Sequence, residues 1–205
     1  MNGEKPHLKI TVFSDYICPF CYIGDARINR LREHYDVRVN WCFLEIHPET
    51  PAEGQAVTAL GYQPETWRRM METLRDMATE EGLTLREQDF MTSSHSALLL
   101  AEAAKRQAPA LFYRLHDALF KRYFADGENI GDRAVLRDIG RDCGMDAALI
   151  EQAWDDPQYP GWLGQYRAAA HELDVRATPT LFIGRARIDG AQPFELIRQA
   201  ARDAA

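Results

Sequence analysis

An α/β fold whose small sheet is interrupted by a long helical stretch is predicted by three observations. The apolar run Leu8-Lys9-Ile10-Thr11-Val12-Phe13 reads as a strand and leads through Ser14-Asp15-Tyr16-Ile17 into Cys18-Pro19-Phe20-Cys21 and a helical pattern. From about residue 52 to 157 the pattern is helical. Thr178-Pro179 then precedes a short apolar strand, Thr180-Leu181-Phe182-Ile183-Gly184, a tight turn, an edge strand and a closing helix.

The first of these carries the chemistry. Ile23, Ile28 and Leu31 have roughly the spacing of one helix face, so both cysteines fall on the opening turn of a helix. Residues three apart share a face, which lets Cys18 and Cys21 bridge. Unpaired N–H groups and the positive end of the dipole favour a thiolate there. A free cysteine titrates near about 8.5, and such positions lower it to roughly 3.5–7.5. Cys18, the outer thiol, is expected to attack; Cys21, one turn in and more buried, is expected to resolve the mixed disulfide. Pro19 suits the first helical turn, where its missing N–H would have had no partner.

A lone CxxC also fits half a zinc site or a pair of inert core thiols. Zinc would need a second Cys or His pair, and the chain has no other CxxC and no HxxxH. Proline directly after Cys18 and a strand directly before it argue against inert packing. Cys42, inside the apolar end of its strand, and Cys143, beside Gly144, are expected to be packed and unreactive.

The remaining elements follow in order. Asp36 to Ile46 alternates and then becomes continuously apolar, the pattern of a strand passing into the core, and Pro48 and Pro51 stop it. Pro64 opens a charged helix to Glu81 with Gly82 after it, and Arg68-Arg69 on it reads as a solvated face. Thr92-Ser93-Ser94 caps His95 to Gln107, and Pro109 begins a helix whose buried face holds Leu111, Phe112, Leu115, Leu119 and Phe120. Asp132 caps a helix ending at Cys143, Asp146 caps Ala147 to Trp154, and Tyr159 to Leu173 is helical. Pro193 opens the last helix, Phe194 to Arg202.

Length and charge bound the function. With 205 residues, 46% hydrophobic and 27% charged, the chain can bury one substantial core. A net charge of −7 argues against nucleic acid and anionic membrane surfaces as partners, and no apolar run approaches the ~20 residues of a transmembrane helix. Met1 to His7 lacks the apolar core of a signal peptide, so a cytoplasmic location is expected, where a CxxC is catalytic more often than structural.

Strand, CxxC helix, strand, helical stretch, Thr-Pro, strand pair and final helix together resemble a thioredoxin fold. The separation of Cys21 from Thr178 by a long helical insertion is similar to the DsbA-like superfamily. Ser14 to Gly24, Trp41 to Pro48, Tyr123-Phe124 with Gly127, and Gly190-Ala191-Gln192 look like its FrnE-type cytoplasmic branch. That branch is related to 2-hydroxychromene-2-carboxylate isomerase and kappa-class glutathione transferase. The resemblance implies a thioredoxin-fold domain from 1–51 and 158–205 with an inserted helical domain at 52–157.

It also implies a cis Thr178–Pro179 bond facing the dithiol, with Phe20, Thr178 and Pro179 shaping the substrate surface. Gln192 lies where related transferases hold the γ-glutamyl end of glutathione. Glu45 is a candidate for taking the proton of Cys21, and His95 and His47 are candidate proton shuttles. The implied partners are disulfide-bearing proteins or small thiols, with glutathione as a co-substrate, no tightly bound cofactor, no metal, and a homodimer allowed for. Phe20 stands where DsbA has histidine, which implies a less oxidising couple; FrnE-like chains usually have Trp there. The isomerase and transferase relatives generally carry serine at the position of Cys18, so two cysteines favour redox chemistry over glutathione-dependent isomerisation.

Overall fold

The computed structural model describes residues 5–87 and 89–205. Its strand β1, His7–Ser14, ends in the turn that feeds helix α1, Pro19–Leu31, and β2, Asp36–Phe43, runs parallel to it with Val12 opposite Trp41. Two-residue strands β3, Gln55–Ala56, and β4, Phe90–Met91, pair with each other across a 3-10 turn, Val57–Leu60, and α2, Pro64–Glu80. Helices α3, His95–Gln107, α4, Pro109–Phe124, α5, Arg133–Asp142, and α6, Ala147–Asp155, follow. Then come α7, Gln158–Glu172, the hairpin β5, Thr180–Ile183, with β6, Ala186–Asp189, and α8, Phe194–Ala204.

The main sheet has the order β2-β1-β5-β6, with β5 antiparallel to both neighbours. Side chains alternate across a strand, and β1 uses both faces. Leu8, Ile10 and Val12 enter the large core with Ile28, Leu31 and Ile197, whereas Phe13 packs on the opposite side with Cys42 of β2 and Ala170 of α7. Trp41 and Phe43 join the large core, so Cys42 between them faces the other way. Among the described residues no helix is long and apolar enough to cross a membrane.

Capping follows the sequence closely. Asp132 accepts the N–H of Ala134 at 2.7 Å and Asp146 that of Ala148 at 2.8 Å, while Pro19, Pro64 and Pro109 each open a helix. Ser94 precedes α3 without a side-chain cap; Ser93 Oγ accepts the His95 N–H instead, at 3.2 Å. Arg68 sits exposed between Glu65 and Glu72, both at 2.6 Å.

Two expectations are corrected. The strand expected to reach Ile46 stops at Phe43, because β1 has turned away and the Ile46 N–H goes to Asp15 Oδ2 at 2.8 Å instead. The stretch 52–157 also contains the β3–β4 ribbon, two residues a side and too short to leave a periodic signal.

One buried charge ties the layers together. Arg27 of α1 is 1% exposed, yet each of its guanidinium nitrogens has a partner. It donates to the Ala191 and Gln192 carbonyls at 2.9 and 2.8 Å, to Glu81 at 2.8 Å and to Glu80 at 3.1 Å. Without these partners a buried guanidinium would cost several kcal/mol, roughly. The contacts fix the end of α2 and the turn before α8 to the helix that carries the cysteines.

Candidate active site

Cys18 is the N-cap of α1 with extended backbone (φ −88°, ψ 112°), and its carbonyl accepts the N–H groups of Cys21 and Tyr22 at 2.9 and 3.3 Å. Its thiol donates to the Thr178 carbonyl at 3.4 Å. The Thr178–Pro179 bond is cis. The Gly190 N–H, in the turn after β6, donates to the Pro179 carbonyl at 2.7 Å, and α1 approaches the loop at Gly24. A Cβ built on Gly24 would lie 3.0 Å from Pro179 Cγ, so the missing side chain is what allows the approach.

The expected contrast between an outer and an inner cysteine is corrected by the structure. Both are buried, Cys18 at 4% exposure and Cys21 at 2%, because the Thr178–Pro179 loop and the insertion cover the start of the helix. What separates them is electrostatic. Burial works to raise the Cys18 thiol, but hydrogen bonding from the Cys21 thiol and the Thr178 side chain outweighs it and holds the thiol below its ordinary range. Burial and the neighbouring Cys18 push Cys21 well above that range. The pair therefore ionises in a fixed order, Cys18 first.

Asp15, unassigned by sequence reasoning, is the acid built into this turn. It is fully buried, accepts the N–H groups of Ile46 and Ile17 at 2.8 and 3.4 Å, and its carbonyl accepts the Cys18 N–H at 3.2 Å. Burial pushes its carboxyl up to about 6 despite those bonds. The available signal was an acidic residue inside the apolar run Val12 to Ile17. Next to it the buried Tyr16 hydroxyl lies 2.8 Å from His116 Nδ1, whose Nε2 lies 3.2 Å from Asp25 of α1. His116 sits on the apolar face of α4, where its sequence spacing matched core residues and hid it.

Of the other expected residues, Phe20 and His47 line one cavity and Glu45 and Thr178 a second. Phe20, like Met70 and Met71 of α2, packs against the cluster of Ile23, Leu74 and Ala191 and, with Cys18 and Ile17, lines an apolar pocket of about 160 Å³. His47 lines it too, bonded to Glu49 at 3.2 Å. Thr178 borders an open cleft of about 530 Å³ with Glu45 and Arg167. There Glu45 lies 2.8 Å from His95 and 3.4 Å from Arg167, and the carboxylate raises the His95 pKa. Gln192 turns its amide to the Asp189 carbonyl at 2.9 Å.

Cys42 and Cys143 are buried, with Cys42 pushed up to about 11 by burial and Cys143 also raised by it. Among the described residues no group of three or more His, Cys, Asp or Glu could hold a metal ion.

Against known proteins, the model of the DSBA-like thioredoxin domain matches residues 9–202. The chain belongs to that family. Its fold is accordingly a thioredoxin fold carrying a helical insertion. A probable DsbA oxidoreductase, SCO1869 of Streptomyces coelicolor, superposes with a TM-score of 0.83 at 27% identity, over 97% of this chain and 90% of that one. The uncharacterized protein YwbO of Bacillus subtilis is 25% identical over 95% of this chain and 96% of its own. The cytosolic disulfide reductase DsbM of Pseudomonas aeruginosa, solved with GSH, shares the fold at a TM-score of 0.67 and 18% identity, over 95% of this chain and all (100%) of that one. A DSBA-like thioredoxin domain with two adjoining thiols is the framework of an oxidoreductase or isomerase.

Proposed function

We propose that the protein is a thiol–disulfide oxidoreductase in which Cys18 attacks and Cys21 resolves. The observation that carries this reading is the Cys18 thiol, held low and 3.4 Å from the Thr178 carbonyl, beside a Cys21 held high. The Cys18 thiolate attacks one sulfur of a disulfide, forming a mixed disulfide as the other substrate sulfur leaves as thiolate. Cys21 then loses its proton and attacks Cys18, closing the Cys18–Cys21 disulfide and expelling the second thiolate. The substrate gains two electrons and the dithiol loses them; the reverse sequence oxidises a dithiol substrate.

Cys21 must lose its proton before it can attack, and burial holds its thiol high. Asp15, a buried carboxyl poised at about 6 next to the turn, is the group we assign to that proton. The Glu45–His95 pair, one residue from the Ile46 N–H that Asp15 holds, leads toward solvent. Phe20, Thr178 and Pro179 form the contact surface for the incoming disulfide, and protein or glutathione disulfides in the cytoplasm are the proposed substrates.

The alternative is a glutathione-dependent isomerase or transferase, which needs one activated thiolate and no second cysteine. Steady-state reduction of insulin or of a glutathione mixed disulfide separates the two. Loss of turnover in both Cys18→Ser and Cys21→Ser is expected. Full activity of Cys21→Ser would replace the dithiol reading with the isomerase one.

A further inference from the structure

Helix α4 meets the turn between β1 and α1 across a wall of rings. The ring centroids of Trp41, Phe112 and Phe120 lie 4.3, 5.2 and 5.1 Å from that of His116. Tyr16 and His116 are both 0% exposed. A polar atom buried there must find its partner inside the protein, and both imidazole nitrogens do. Nδ1 lies 2.8 Å from the Tyr16 hydroxyl and Nε2 lies 3.2 Å from Asp25 Oδ1. With the ring proton on Nε2, Tyr16 donates to Nδ1 and the imidazole donates to Asp25, whose other oxygen accepts from Asn29 at 3.0 Å.

The two partners bracket the dithiol. Tyr16 is the second residue of the turn Asp15-Tyr16-Ile17-Cys18, which is closed by the Cys18 N–H on the Asp15 carbonyl at 3.2 Å. Asp25 lies on α1, about one helical turn beyond Cys21. One imidazole of the insertion thus holds the chain before Cys18 and after Cys21. Packing of rings is non-directional, whereas a buried, fully satisfied hydrogen-bond chain specifies one arrangement. A disulfide forms only within a narrow geometry, so the fixity of this turn sets the effective concentration of the two sulfurs.

We propose that His116 is a positioning residue for formation of the Cys18–Cys21 disulfide, acting through the Tyr16 hydroxyl on the turn that aims Cys18. The inference rests on the exchange reading above and adds to it a residue of the insertion.

The test equilibrates the full chain in glutathione redox buffers. There the dithiol and one oxidised glutathione give the Cys18–Cys21 disulfide and two reduced glutathiones, and alkylation followed by mass measurement reads the equilibrium constant. Tyr16→Phe keeps the ring that packs on Phe43 and Phe120 at 5.3 and 4.9 Å and removes only the hydroxyl. Its constant is expected to fall at least about tenfold, a shift of about 30 mV. His116→Gln, which returns a polar group at the place of Nε2 alone, should fall with it. His116→Asn, which returns an acceptor at the place of Nδ1, should restore the parent's constant. A role confined to stability would lower melting temperatures without ordering the constants in this way. A parent-like constant in Tyr16→Phe, or Gln and Asn variants that shift alike, overturns the inference alone; Tyr16→Phe decides where neither variant at position 116 folds. A parent protein that forms no Cys18–Cys21 disulfide in any buffer overturns the exchange reading, and the inference with it.

Discussion

Cys18 and Cys21 have nearly the same exposure, so burial alone cannot rank them; their partners do. Hydrogen bonding from the Cys21 thiol and the Thr178 side chain favours the Cys18 thiolate, and that thiolate in turn disfavours ionisation of Cys21. Alkylation rates against pH in the single-serine variants should give a midpoint below a free thiol's for Cys18, measured in Cys21→Ser where the hydroxyl still donates. The midpoint for Cys21 should lie above that of a free thiol. Equal midpoints near about 8.5 would contradict the assignment.

Asp15 gives a second prediction at the same scale. Folded, it keeps its proton up to about pH 6, whereas an unfolded aspartate loses it near about 3.9. Below both values the group costs nothing. As pH rises from about 4 to 6 the unfolded chain ionises first, so stability falls across that window and the penalty persists above it. Denaturant unfolding of Asp15→Asn should gain on the parent through the same window, by on the order of 3 kcal/mol at pH 7. Parallel pH profiles would remove Asp15 as a poised buried acid.

At the scale of elements, Gly24 is where the helix and the loop meet. Alanine there should gain about 1 kcal/mol in helix propensity but set a Cβ 3.0 Å from Pro179 Cγ. The melting temperature of Gly24→Ala is expected to stay close to the parent's while disulfide exchange slows and the Cys18 midpoint rises. Unchanged exchange would show that the Pro179 position does not matter. The elements themselves were largely legible from local rules: prolines at helix starts, aspartates at caps, alternation along β1. What local rules missed depends on distant groups. Asp15 captures the Ile46 N–H and ends β2 early, and Arg27, which the sequence presents as one more helix charge, is buried by Glu81 and two carbonyls.

Across the whole molecule, the succession of elements along the chain and the placement of Thr178-Pro179 facing the CxxC helix followed from the sequence pattern together with its family resemblance. The site was legible in spacing at Cys18-Pro19-Phe20-Cys21 and, through the family resemblance, at Thr178-Pro179. Asp15 was hidden because its raised pKa comes only from the core that closes over it. Gln192, Glu45 and His95 sit around the site in bonds with their own neighbours. The account's central claim is that Cys21 must complete what Cys18 begins. Intact mass measurement of Cys21→Ser after exposure to a model disulfide tests it most directly. One half of the disulfide should be found covalently held on Cys18, with none on Cys18→Ser; a Cys21→Ser protein that turns over without carrying any adduct would contradict it.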